Sequence, residues 1–341
     1  MHAPLLVTAT RGGIPESLHR VSVAAWEGGR SVLALGETAA PVFTRSSAKP
    51  FQALGLVLSG AADRFGVTDE ELAVVCASHG AEECHLEAVR SLQRKGGLEP
   101  ERLGCGAHPP ACTRASVDLA RSGGKPSVLH NNCSGKHTGM LLTALHLGAP
   151  LEGYLAPDHP VQAANLRNFA LFAGVAPEEV VIGVDGCSAP NFAVPLAAQA
   201  RAFALLAEPG SAVPPAPAAA ARRIAAAMSR HPRMVAWRDE GDAALMGAVP
   251  GRLVSKLGAE GVQGVGVLGR GLGVVLKVED GSARPRLPVT VALLRAAGAL
   301  SDDEAARVGP PGATTIRNHN GIETGRLEFA LPEAVASALR R

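Results

Sequence analysis

Apolar residues recur at every second position through Val21, Val23 and Ala25 in residues 17–26, the period of a half-buried strand. The turn Glu27-Gly28-Gly29-Arg30 and a second apolar run over 31–35 follow, so the pattern predicts a β-hairpin. Residues 262–268 and 272–278, joined by Gly269-Arg270-Gly271, predict another. Between the hairpins the apolar spacing lengthens to the helical period. Residues 46–58, 81–95, 133–147, 161–174 and 218–230 each read as a helix, and 287–300 reads as one after the second hairpin. Thr68-Asp69-Glu70-Glu71 has the form of a helix cap with an acidic first turn, and Gly148 sits where a helix stops. The short apolar run 180–184 predicts a buried strand, followed by the loop Asp185-Gly186-Cys187-Ser188-Ala189-Pro190. Residues 208–217 hold four Pro and a Gly and predict an exposed connection.

Strands come first, then helices, then strands with helices, which is the order of an α+β fold rather than a βαβ alternation. The simplest architecture joins residues 1–50 and 235–341 in one lobe, an antiparallel sheet flanked by helices. Residues 51–234 then form a mainly helical second lobe, with the site between the two.

Composition narrows the chemistry. A chain of 341 residues suits about two domains or one two-lobed unit. Its 47% hydrophobic and 19% charged residues exclude disorder as the main state. The 33 Lys+Arg nearly balance the 31 Asp+Glu, and no long block of one sign occurs. Nucleic acid and anionic membrane surfaces are therefore not expected partners, and a small neutral or zwitterionic substrate fits better. With 8 Phe, 2 Trp and 1 Tyr, few rings are available to stack on bases. No run of 18 apolar residues predicts a membrane span. The opening Met1-His2-Ala3-Pro4-Leu5-Leu6-Val7-Thr8 lacks a basic and apolar leader, which leads to the expectation of a cytoplasmic protein. Six cysteines, none in a C-x-x-C pair, read as free thiols or metal ligands.

Ser46-Ser47-Ala48-Lys49 is an S-x-x-K at a helix start, where residues three apart share a face. A serine hydroxyl becomes a nucleophile when a neighbour takes its proton, and a lysine does so when burial or a nearby cation lowers its pKa. The bland alternative is a capping serine with a solvated lysine. Arg45, just before it, offers either the cationic neighbour for that lysine or a binding group for a carboxylate. Ser255-Lys256-Leu257-Gly258 supplies a K-x-G, the partner of S-x-x-K in penicillin-recognising serine enzymes, or else only a loop lysine before a turn. Ser78-His79-Gly80 offers a second hydroxyl or a helix cap. His130-Asn131-Asn132-Cys133-Ser134-Gly135-Lys136-His137 is dense in reactive types and fails the Walker A frame. Cys133 and Lys136 share a helical face, and Cys187 lies beside Asp185.

Together, residues 44–50, 76–80, 130–137 and 183–190 resemble the Rhizobium-type, thermolabile L-asparaginases of the asparaginase II family. The resemblance implies a fold like serine β-lactamases and glutaminases, and hydrolysis of L-asparagine to L-aspartate and ammonia through an acyl-enzyme. It implies one Ser–Lys tandem of Ser46 with Lys49 and another of Ser78 with Lys256. It also implies a zinc ion on Cys133, Lys136 and Cys187, substrate contacts from Arg45, His137 and Asp185, and a homodimer. Two other readings share these residues: a penicillin-binding or β-lactamase-like hydrolase, and a non-catalytic zinc-binding relative.

Overall fold

The computed structural model describes residues 4–238, 240–309 and 313–340, so the first three residues of the N-terminal stretch lie outside it. The chain is a mixed α and β protein built on one large antiparallel sheet. Its strands are β1 (Leu5–Arg11), β2 (Ile14–Glu27), β3 (Arg30–Leu35), β7 (Leu253–Gly258), β8 (Val262–Val267), β9 (Leu272–Val278), β10 (Ala313–Arg317) and β11 (Glu323–Glu328). Neighbours run β10-β11-β1-β2-β9-β8-β7, and β3 pairs with the second half of β2. Both hairpins read from the sequence are present, as β2–β3 and β8–β9. Long-range pairing of β2 with β9 sets Val23 opposite Leu276, so the two ends of the chain share one sheet.

A second sheet was not visible in the pattern. It consists of β4 (Pro41–Phe43), β6 (Pro190–Pro195) and β5 (Val181–Val184), in the order β4-β6-β5. The strand read over 180–184 exists, but it is not buried. Val181 and Val184 are 50% and 83% exposed, because β5 is an open edge of this small sheet. The helix read over 46–58 is instead three short pieces, the 3-10 turn Arg45–Ala48 and the helices Lys49–Gln52 and Leu54–Leu58. Lys49–Gln52 is anchored by aromatic packing. Phe51 meets Phe169 at 5.7 Å and Phe203 at 5.5 Å, both edge-on, and Phe169 stacks on Phe192 at 5.3 Å. The Thr68 cap is real: its hydroxyl accepts from the Glu71 N–H while the Glu71 carboxylate accepts from the Thr68 N–H.

The sheet is covered on both faces where strands sit centrally, since every residue of β8 is buried although alternate side chains point to opposite faces. Helix Leu196–Ala207 lies across β2, β8 and β9. Its approach is close enough to dictate sequence. A Cβ on Gly273 would stand 2.1 Å from the Ala200 carbonyl oxygen and 2.4 Å from the Ala204 nitrogen, both backbone atoms that cannot swing aside. Gly273→Ala is therefore expected to lower folding stability by about 2–3 kcal/mol through overpacking, seen as a lower urea midpoint. An unchanged midpoint would show that the helix does not press on β9 in this way.

Candidate functional site

The small sheet aims two loops at one place. Strands β4 and β5 both run antiparallel to β6, so they leave the sheet at the same end. The chain enters the Arg45 turn after β4 and the Asp185–Cys187 loop after β5. Arg45 Nε accordingly donates to Asp185 Oδ1 at 2.8 Å. On β6 between them, Asn191 Oδ1 accepts from the Arg45 N–H at 3.0 Å and from the Thr44 hydroxyl at 3.4 Å. Arg45 has φ 51°, a left-handed conformation unusual for a residue with a side chain. Among the described residues Ala81, Ser188 and Glu260 are the other such non-glycine positions. Arg45 and Glu260 line a cavity of about 440 Å³ with Phe43, Val184, Asn191 and Lys277. Strain of this kind costs roughly 1–3 kcal/mol and collects at functional sites.

Lys49 points inward from the next turn and is fully buried. Its amine donates to the Ala77 carbonyl at 2.6 Å, to Ser78 Oγ at 3.0 Å and to the Asn132 carbonyl at 3.3 Å. The S-x-x-K pairing read from spacing is thus not the contact that forms. Lys49 meets Ser78, and the partly exposed Ser46 hydroxyl has no hydrogen-bond partner among the described residues. A 3-10 turn followed by a short helix carries the Lys49 side chain into the core. Ser78 does not cap a helix either. The next helix begins at Glu83, and the Ser78 hydroxyl is taken by Lys49. His79 beside it is fully buried, with Nδ1 accepting from the Ala81 N–H and Nε2 on Ser134 Oγ at 2.8 Å. Burial, reinforced by His85 and Lys49, holds its pKa well below the usual range, so it is neutral.

Lys256 comes from β7, which packs on the Arg45–Ala48 turn. The glycine of K-x-G explains how. A Cβ on Gly258 would lie 2.5 Å from the Thr44 carbonyl oxygen, so only glycine lets the strand approach. The Lys256 amine is fully buried and donates to Asp242 Oδ2 at 3.4 Å and to the Leu257 carbonyl at 3.2 Å, not to Ser78. Burial pushes its pKa down to about 8, with Lys49 adding to the fall and Asp242 opposing it.

Asn132 joins these amines to the thiols. Its carbonyl takes Lys49, and its side-chain oxygen accepts from Cys133 Sγ at 3.1 Å. Lys136, one helical turn on, donates to Cys187 Sγ at 3.0 Å, and Cys187 donates to Asp185 Oδ2 at 3.6 Å. Its interaction with Cys187, aided by Lys49 and Lys136, holds the Cys133 thiol well below its ordinary pKa, and Cys187 is raised in turn. Burial alone would lower Lys136, but the two thiols and Asp185 outweigh it and raise its pKa. His137 is buried behind this group. The Tyr154 hydroxyl accepts from the Gly104 N–H at 2.8 Å and is hydrogen-bonded to His137 Nδ1 at 2.6 Å. His137 Nε2 is buried and has no hydrogen-bond partner among the described residues. Elsewhere, Glu82, Cys84 and His85 bring three potential metal donors within 4.8 Å of one another. Both His85 nitrogens there are already used, by the Glu82 N–H and the Arg233 carbonyl.

Asn132, Asn191 and Asp242 were not singled out in the sequence. Only the paired Asn131-Asn132 before Cys133 hinted at one of them. Val235 and Trp237 wall this side of the group. The Val235 carbonyl accepts the Ser78 N–H, and Trp237 packs so closely that a Cβ on Gly80 would sit 2.7 Å from its Cβ.

A family model for L-asparaginase II matches residues 7–329, and the chain belongs to that family. No protein of curated function matches it. A solved structure titled as Mglu in its native form is similar over 81% of the chain, at 15% identity and a TM-score of 0.37. The chain spans 64% of that protein's length.

Asn191→Ala removes the acceptor that holds the strained Arg45 turn. It is expected to cost about 1–3 kcal/mol of stability, read in a urea melt, and an unaltered melt would contradict that role.

Proposed function

We propose that the chain is a cytoplasmic L-asparaginase that splits the side-chain amide of L-asparagine through a serine acyl-enzyme, on a scaffold like that of serine β-lactamases. The observation that carries this is the buried 3.0 Å contact of Lys49 with Ser78 at a site shared with the thiol cluster. Ser78 is only 3% exposed, whereas Ser46 is partly open, so Ser46 is the hydroxyl a substrate carbon reaches. In this reading the tandems are crossed relative to the family resemblance: Lys256, on the strand that packs against the Ser46 turn, serves Ser46, and Lys49 serves Ser78. The Lys256 amine, with its pKa near 8, takes the Ser46 proton as Oγ attacks the amide carbon. Because Lys49 donates to Ser78 Oγ, the Ser78 O–H is free to donate to the departing nitrogen, and Lys49 replaces that proton. The carbon–nitrogen bond breaks, ammonia leaves, and water hydrolyses the remaining aspartyl ester.

Arg45, Lys277 and Glu260 give the cavity lining both signs of charge, which suits a zwitterion better than a penicillin. Cys133, Lys136 and Cys187 fit a zinc ion. Two thiols and an amine converge, and the unpartnered His137 Nε2 faces the same group. When bound there, zinc would supply positive charge for holding the substrate. Lys136 would shed its proton to ligate, and His137 would support the thiols from behind. Six unpaired cysteines support a reducing compartment. The homodimer has a ready face in the exposed apolar edge Val181, Ile182 and Val184 beside Phe43.

Purified protein is expected to release ammonia from L-asparagine. Ser46→Ala and Ser78→Ala should each lose about a hundredfold or more. Mass spectrometry of the quenched reaction should find the aspartyl adduct on Ser46. An adduct on Ser78, or full activity in Ser46→Ala, would remove Ser46 as nucleophile. Acylation by labelled penicillin without ammonia release would favour the β-lactamase-like reading. Metal-depleted protein is expected to take up zinc, and Cys133→Ser and Cys187→Ser to lose that uptake. Undiminished uptake in both variants would place the metal elsewhere, and the Glu82–Cys84–His85 group would then be tested next.

A further inference from the structure

Asp242 lies in the first turn of helix Gly241–Ala248 and is fully buried, yet it is a carboxylate. Its Oδ1 accepts from Ser255 Oγ and from Gln263 Nε2, each at 2.8 Å. Its Oδ2 accepts from the Leu257 N–H at 2.8 Å and, fourth, from Lys256 at 3.4 Å. Charge-assisted amine–carboxylate bonds normally close to about 2.7–2.9 Å. Three neutral donors therefore fix the carboxylate and hold it just off the amine. Arg286 braces the far side, donating to Gln263 Oε1 at 2.7 Å and to Glu240 at 2.8 Å.

We propose that Asp242 is the positioning residue for Lys256, holding the amine beside the Ser46 turn and controlling when it carries a proton. This rests on the reading that Lys256 takes the serine proton. Asp242 touches no reacting atom and acts through the lysine. The charged and titratable groups that face Lys256 are Asp242, Lys49, Arg286 and the Cys76 thiol. The two cations and burial all favour the neutral amine, and Asp242 is the charged group that favours the ammonium. The anion itself is secure, since Lys256, Arg286, the Leu257 N–H and Gln263 together outweigh its burial and keep its pKa low.

Two variants separate charge from shape. Asp242→Asn keeps the volume and removes the charge, while Ser255→Ala keeps the charge and removes one donor that disperses it. The Lys256 titration is followed by NMR of ¹³C-labelled lysine, assigned with Lys256→Arg, alongside the pH profile of kcat/KM for ammonia release. Asp242→Asn is expected to move the Lys256 midpoint down by about one pH unit or more, and the acidic limb of the profile should move down with it. Ser255→Ala is expected to move both upward. A variant that lowers kcat equally at every pH with the midpoint unmoved would make Asp242 merely structural and overturn the proposal. If Asp242→Asn does not fold, the sign of the Ser255→Ala shift decides, and no shift or a downward one overturns it. If the wild type releases no ammonia, the asparaginase reading fails on that result, while the NMR midpoints still decide the Asp242–Lys256 coupling.

Discussion

A buried lysine amine must find acceptors for its N–H bonds or leave the core, and Lys49 finds three. Removing one partner of such a group leaves polar atoms stranded out of water at a cost of several kcal/mol. The Ala77 carbonyl, the Ser78 hydroxyl and the Asn132 carbonyl are therefore held in place by the same requirement that holds Lys49. Because Asn132 also receives the Cys133 thiol, the amine–hydroxyl pair and the thiol–lysine group cannot move independently. One burial problem with one solution fixes the geometry of the whole site.

The rest of the fold makes that solution rigid. The aromatic cluster around Phe51 pins the short helix that carries Lys49, and helix Asp69–Val75 delivers Ala77 and Ser78 at its end. Strand β7 brings Lys256 from the large sheet, through a contact only Gly258 allows. The small sheet sets Arg45 beside Asp185. Local chain segments far apart in sequence thus converge because two sheets and one helical layer each supply one wall. The left-handed backbone at Arg45 is tolerated because Asn191 and Asp185 hold that residue from two directions.

Much of this was legible in the residues, for a physical reason. Hairpins with glycine turns, the Thr68 cap and the glycine-stopped helices Ser134–Leu147 and Pro160–Ala173 are local, and their signals lie within a few positions. Strands β4 and β6 were not legible, since short strands paired across about 150 residues carry no periodic signal. The strand at 181–184 was read as buried because an apolar run does not reveal whether it lies at an edge. In the site, the contacts that form are not those that spacing suggested. Spacing of three suggested Ser46 with Lys49, whereas tertiary burial turned Lys49 toward Ser78. Asp242 left no trace at all, because a single acid in a helical turn looks like any solvated one until its burial is known.

The central claim is that the Lys49 amine does chemistry as well as holding the core, and Lys49→Arg separates these roles. Arginine keeps charge and several N–H donors but does not give up its proton. Measured as kcat/KM for ammonia release from L-asparagine by folded protein, the variant is expected to lose about a thousandfold. Near-native turnover in that variant, with its fold intact, would contradict the claim and leave Lys49 as a structural cation.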